Sequence, residues 1–269
     1  MGVEPDSGSL VDGDGEVGDR SEFGVIDRRV RIIGAGRAGG SFALALGEVG
    51  WRPELLLRGV PLATAAHDVE LVLLCVPDAA VQEVAAEIEP DERCVVAHCA
   101  GSLTLDVLDG HVNRASVHPL VALPSPPVGA RRLRTATFGV AGDLIGVALV
   151  RDLVADLGGR CVEPDESRRV EYHAAAVIAS NHLVALLGQV QRVAARAGVP
   201  MEAYLDLASG SVQNVVELGP TAALTGPVAR GDWATVAAHL AVLEPDEREA
   251  YVALARAAAR LAGRELPDL

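Results

Sequence analysis

Gly34, Gly36 and Gly39 stand in a G-x-G-x-x-G pattern within RRVRIIGAGRAGGSFALAL, residues 28 to 46, directly behind a short apolar run. Glycines at this spacing let a backbone approach a diphosphate. The first allows a tight turn, the second admits the phosphates, and the third lets the following helix pack close to its strand. The helix N-terminus then offers free N–H groups and the positive end of its dipole. Ala35, Arg37 and Ala38 complete the loop, and Arg37 is placed to touch phosphate. A glycine-rich turn with no ligand is the alternative reading; the strand before and the helix after favour a dinucleotide. Where an NAD site carries an acid for the ribose 2′-OH, about 20 positions on, this chain has Arg58. A guanidinium there suits a 2′-phosphate through paired charge-assisted hydrogen bonds, so NADP(H) is expected over NAD(H). The plainer alternative is a solvated strand end.

Ligands in open α/β sheets sit beyond the carboxyl ends of the strands. Three further such ends carry small or polar groups: Val76-Pro77-Asp78, Ala97–Ser102 and Ser116–Pro119. The first is expected to follow the cofactor toward its nicotinamide; the other two are expected near the reacting carbon. Ser102 either contacts substrate or caps the next helix. In YHAAAVIASNHL, residues 172 to 183, a 3.6-residue period puts His173 and Ser180 on one face, with Asn181 beside them. His118 and His173 are the candidate proton donors, because histidine titrates near neutral pH. The loop LTGPVARGD, residues 224 to 232, offers Thr225 and Arg230 for an anionic substrate. The alternative is an Arg230–Asp232 surface contact with Asp232 capping a helix.

These residues need a scaffold. Short apolar runs at 30–33, 54–58, 71–76 and 94–97, with further short candidates in ASVHP, TFGVAG and RCVEP, alternate with helical patterns at 38–49, 79–88 and 147–157. That alternation predicts an α/β fold, a Rossmann-type doubly wound parallel sheet. Near residue 166 the character changes to helical patterns alone: a long apolar stretch at 168–198, then 201–218, 233–243 and 246–262. The expected organisation is a dinucleotide-binding domain over 28–166 and an all-helical substrate and dimerisation domain over 167–269. The first long helix is too apolar to be solvated all round, so it is expected to bury itself against neighbours or a second subunit. The segment GVPLATAAHDV between the second and third strands is too short for the usual helix there.

Composition narrows the function further. The 269 residues carry a net charge of −14, and half are hydrophobic with 3% aromatic. Residues 1–27 hold eight acids and one base without apolar periodicity, and read as a disordered solvating tail. No basic stripe suits nucleic acid, and no unbroken apolar run suits a membrane span. The four cysteines show neither C-x-x-C spacing nor a zinc pattern, which fits a reduced cytoplasmic setting and no metal. All 23 basic residues are arginine, so no lysine can act as general acid or form a Schiff base.

With these residues in hand, the chain resembles the DUF2520 family, bacterial proteins with a Rossmann-like NADP-binding domain followed by a helical domain. The resemblance runs on IIGAGRAG, LVLLCVPDAAV, AHCAGSLTLDVL, VHPL, YHAAAVIASNHLVAL and LTGPVARGD. It implies an oxidoreductase related in architecture to ketopantoate reductase, pyrroline-5-carboxylate reductase and 6-phosphogluconate dehydrogenase-like enzymes, and a homodimer formed through the helical domain. The chain departs from the Lys-x-x-x-Asn pair of ketopantoate- and hydroxyisobutyrate-type reductases, because Val177 stands four residues before Asn181. The expected activity is NADP-dependent reduction of a small carbonyl, a 2-oxo acid such as ketopantoate, or of an imine. Asn181 and Ser102 would hydrogen-bond the substrate. A non-catalytic NADP(H)-binding sensor or scaffold is the competing reading, and a helical dimerisation module with a vestigial loop is a third.

Overall fold

The computed structural model describes residues 28–265 and 267. The expected acidic tail, 1–27, lies outside the described residues. The chain divides into two compact units, the first ending at His173 and the second running from Ala174.

The first unit is built on a seven-stranded sheet. In chain order its elements are β1 (Arg29–Ile33), α1 (Arg37–Glu48), β2 (Arg52–Leu56), β3 (Leu71–Leu74), α2 (Val81–Ala86), β4 (Val95–His98), β5 (Asn113–Pro119), α3 (Pro126–Leu133), β6 (Thr137–Gly142), α4 (Leu144–Asp156) and β7 (Arg160–Val162). The strand order is β2-β1-β3-β4-β5-β6-β7. The direction of winding therefore switches between β1 and β3, beside the glycine loop. The unbroken apolar run at 71–74 is a central strand with all four residues fully buried, as a parallel sheet covered on both faces requires. No helix forms between β2 and β3, in line with the short segment there.

Three expectations need correction. The sheet is not parallel throughout: β6 runs antiparallel to β5, and β7 is parallel to β6. The link between β5 and β6 carries α3, which the sequence reading missed; its helix packs on α1, with Gly40 and Gly129 leaving room at the contact. Finally, β2 spans Arg52–Leu56, not 54–58, so Arg58 sits two residues beyond the strand end, exposed in a turn.

In the second unit the long apolar stretch is not one regular α-helix. α5 (Arg169–Val177) starts in the first unit, a π-helical turn covers Ile178–His182, and α6 (Leu183–Ala197) follows. Ser180 Oγ, bonded to the Ala176 carbonyl at 2.7 Å, lies within that π turn. The 3.6-residue argument that put His173 and Ser180 on one face therefore fails beyond Val177. After it come α7 (Met201–Leu218), α8 (Pro220–Ala223), α9 (Pro227–Arg230), α10 (Trp233–Val242) and α11 (Pro245–Leu261). A small core of Val228, Val236, Ala255 and Ala259 joins α9, α10 and α11. α7 contributes no buried residue, and Leu207, Val212, Val216 and Leu218 on it are exposed. The helical run Glu166–Ala197 is long and apolar enough to cross a membrane by length and composition, although no unbroken apolar run is. Arg169, His173, Gln189 and Arg192 along it would each be costly in hydrocarbon.

Candidate functional site

The glycine loop is built as its spacing predicts. Gly34 has φ +109°, and a methyl added there would stand 2.5 Å from the Cys75 carbonyl oxygen. A methyl on Gly39 would stand 1.8 Å from the Gly34 carbonyl oxygen, so α1 can pack this close to β1 only without a side chain there. Gly36, at the N-cap of α1, is different: nothing lies within 4 Å of where its Cβ would be. The protein's own packing gives no reason for that glycine, whereas a diphosphate laid on the loop would. Ala35, Gly36 and Arg37 are exposed and Ala38 is half-buried; no side chain caps the α1 N-terminus, whose N–H groups remain available. Arg58, just past the end of β2, follows Leu56, whose carbonyl accepts from the Gly34 N–H at 3.3 Å.

The remaining strand ends converge. Ser102 Oγ donates to Asp78 Oδ2 at 3.0 Å, joining the loops after β3 and β4. Ser102 caps nothing: Thr104 occupies the N-cap of the short 3-10 turn Leu105–Leu108. Val76 is half-buried and Pro77 exposed on the same rim. Beyond β4 and β5, the His118 and His173 rings meet edge-to-face with centroids 5.9 Å apart. Gly101 makes this possible, since a methyl there would lie 2.6 Å from His173 Cδ2 and 2.8 Å from His118 Nε2. Both candidate proton donors thus stand side by side in the first unit.

Three residues around them were given no role by sequence reasoning. Tyr172 places its hydroxyl 2.8 Å from His118 Nδ1. Its phenol oxygen rests against Gly139 of β6, where a methyl would lie 2.2 Å away. Arg169 is buried, 1% exposed, and its guanidinium donates to the Gly101 carbonyl at 3.1 Å, Ser116 Oγ at 2.8 Å and Glu166 Oε1 at 3.0 Å. It also lies 5.6 Å from the Tyr172 ring centre. His98, at the end of β4, is fully buried. Neither ring nitrogen reaches a partner in hydrogen-bond geometry, although the Thr104 and Ala100 backbones face it. Burial, with help from the Arg169 charge, pushes His98 down to about 4. His118 is likewise pushed down to about 4, by burial first and then by His173 and Arg169. Both rings are therefore neutral at pH 7, so His118 does not titrate near neutral pH as expected, and any proton it gives comes from its neutral N–H.

The other sequence candidates fall in the second unit. Asn181 is exposed in the π turn, its Oδ1 accepting from Ser180 Oγ at 2.8 Å. Thr225 lines an open apolar groove of about 650 Å³ that also includes Gln189, Tyr204, His239 and Tyr251. Arg230 is exposed at the end of α9, and Asp232 caps α10 by accepting from the Thr235 N–H at 3.1 Å. Among the described residues no cluster of His, Cys, Asp and Glu could hold a metal. A hydrogen bond with Cys99 and burial push the Cys75 thiol well up, and burial pushes the Cys94 thiol up to about 12, so neither is reactive.

A sheet of this order with a glycine loop at its switch point defines a Rossmann-like protein, followed here by a helical unit. Solved structures agree. The chain is similar to a Bacteroides fragilis protein provisionally named an NADP oxidoreductase, at 21% identity and TM-score 0.74 over 88% of this chain and 99% of that one. It is similar to protein TM1727 of Thermotoga maritima, at 25% identity and TM-score 0.65 over 87% and 98%. It is also similar to 1-pyrroline-5-carboxylate reductase of Streptococcus pyogenes, at 14% identity and TM-score 0.62 over 86% and 98%. Residues 136–258 match the family described as "Domain of unknown function (DUF2520)", which bears out the resemblance read from the sequence. No curated protein matched the chain.

Proposed function

We propose that the protein is an NADP(H)-dependent oxidoreductase that reduces a small carbonyl, a 2-oxo acid of ketopantoate type first, or an imine. The observation that carries this reading is the contrast within the loop. Gly34 and Gly39 are glycine because the protein leaves no room, while Gly36 is glycine with open space before it. That space lies along the same edge of the sheet as the ends of β3, β4 and β5. Among the structural neighbours, the Plasmodium falciparum pyrroline carboxylate reductase has NADP bound, and the Aspergillus terreus reductive aminase is in complex with NADPH.

In this reading the residue 34–39 loop and the α1 N-terminus hold the diphosphate, and Arg58 pairs with the 2′-phosphate, which sets the preference for NADP(H). The bound dihydronicotinamide supplies the hydride. The protein's own groups orient the substrate and handle the proton: Ser102, held by Asp78, offers a hydrogen bond at the rim, and His118 or His173 supplies the proton. Asn181, Thr225 and Arg230 enter as substrate-binding residues on the sequence argument. The exposed apolar side chains of α7 and of the Glu166–Ala197 run suit a second copy of the chain, giving a homodimer through the helical unit, in a cytoplasmic setting that its four free thiols fit.

The test is NADPH oxidation by the purified full chain against a panel of 2-oxo acids and cyclic imines, with NADPH fluorescence titrated in parallel. Turnover with any member supports the reading. NADPH binding without turnover across the panel would replace it with the sensor reading, which the absence of lysine favours.

A further inference from the structure

We propose that Tyr172 is a positioning residue that holds His118 as its Nε2–H tautomer, so that this N–H is the fixed proton donor to the reacting substrate atom. Two glycines make the arrangement possible. Gly139 clears the space for the Tyr172 hydroxyl, and Gly101 clears the space for the His118 and His173 rings. A side chain at either position would break the set, so these positions have a reason to lack one.

The direction of the 2.8 Å bond between the Tyr172 hydroxyl and His118 Nδ1 follows from the strengths of the two groups as donor and acceptor. A phenol hydroxyl is a stronger donor and a weaker acceptor than a neutral imidazole, so the stronger of the two possible bonds runs from the hydroxyl to the bare ring nitrogen. The single hydroxyl proton then has Nδ1 as its partner. An Nδ1 that accepts leaves the neutral ring's only proton on Nε2. The ring has no second proton at neutral pH, because it is partly buried and faces the Arg169 guanidinium and the His173 ring, with the His98 ring also opposing a charge and only Asp78 favouring one. Tautomer and protonation state are thus both fixed by neighbours on α5 and at the ends of β3 and β4.

The role as donor rests on the reductase reading; the tautomer does not. As hydride addition puts negative charge on a substrate oxygen, the Nε2 proton passes to that oxygen and Nδ1 takes the phenol proton. Tyr172 is left as a phenolate with the Arg169 guanidinium 5.6 Å from its ring centre, and water restores its proton. An alkoxide is far more basic than a phenolate, so the transfer runs downhill even though burial raises the Tyr172 hydroxyl above its usual value.

The test uses the full chain labelled with ¹⁵N-histidine and reads long-range ¹H–¹⁵N correlations at neutral pH, with His118 assigned by loss of its signals in His118→Gln. The expected spectrum shows Nε2 as the protonated nitrogen and Nδ1 as the bare one. In Tyr172→Phe the two should move toward averaged positions. Gly139→Ala, which displaces the hydroxyl while keeping the phenol, should do the same, so a failure of one variant to fold leaves the other as the test. A protonated Nδ1 in the natural chain, or a His118 spectrum unmoved in both variants, overturns the proposal. With an active substrate, Tyr172→Phe should lower kcat at least tenfold and leave KM within a factor of about three, and kcat within twofold of the natural chain would overturn the donor role. If the spectra behave as expected but no substrate turns over, the reductase reading fails and the positioning role stands.

Discussion

Arg169 is the most consequential buried charge in the first unit, and Arg169→Met measures what it holds. The guanidinium satisfies two well-placed neutral acceptors in dry surroundings, the Gly101 carbonyl and Ser116 Oγ, with a longer contact of 3.4 Å to the Ala100 carbonyl. Leaving a buried acceptor without its donor costs about 1–3 kcal/mol. The Glu166 partner is 36% exposed, so its ion pair adds at most about 1 kcal/mol. Methionine fills much of the volume and removes the desolvation cost of the cation, which offsets part of the loss. The expected net destabilisation of the first unit is about 2–4 kcal/mol, or a urea midpoint lower by roughly 1–2 M. Trp51 is buried in that unit's core, so urea unfolding followed by its fluorescence in a Trp233→Phe background reads the first unit alone. The same variant should raise the pKa of His118, since Arg169 is one of the charges that depresses it. An unchanged midpoint together with an unmoved His118 titration would show that Arg169 neither anchors the loop after β4 nor sets the charge of the histidine pocket.

Gly36→Asp should leave the fold intact, because the space around its Cβ is open, yet abolish the NADPH fluorescence signal by setting a carboxylate against the diphosphate. Arg58→Ala should weaken NADPH binding by roughly tenfold and leave NADH binding unchanged in the same titration, the loss of one or two charge-assisted bonds. Val216→Arg, at a position 74% exposed on α7, should convert the proposed dimer to monomer in sedimentation velocity without changing the circular dichroism spectrum; a particle of unchanged mass would remove α7 from the interface. Acid should destabilise the first unit in a defined window. His98 and His118 ordinarily titrate near 6.5 and are pushed to about 4 in the fold, so between these values the unfolded chain binds more protons. Stability therefore rises with pH across that window and is lost on acidification, by on the order of 3 kcal/mol for each ring. His118→Gln and His98→Gln should each flatten the dependence of the urea midpoint on pH from 4 to 6.5.

What could be read from the sequence and what could not divides along one physical line. The glycine loop is a local object: a strand, a turn and a helix start within a dozen residues, with Gly34 required by its own positive φ, Gly39 by the Gly34 carbonyl and Gly36 by the ligand. The central strand at 71–74 was legible for the same reason, since burial on both faces leaves a run of apolar residues with nothing between them. The β5–β6 pairing was not, because nothing within either strand records the direction of the other, and the proline-led helix between them shows only short apolar periodicity. The π turn escaped because a one-residue widening leaves composition untouched while rotating every side chain after it. The histidine pocket escaped in part. His118 and His173 were found as residue types at suggestive places, but their shared chemistry depends on contacts across 54 residues from His118 to Tyr172 and 68 residues from Gly101 to Arg169, which no spacing encodes. One trace of that pocket was nonetheless present: Gly101 and Gly139 stand where no turn requires a glycine and neither has a positive φ. A glycine unexplained by backbone conformation is a statement about the side chains facing it. Here those side chains are the two histidines and the tyrosine, so the chemistry proposed for the pocket and the composition of the strands around it have the same cause.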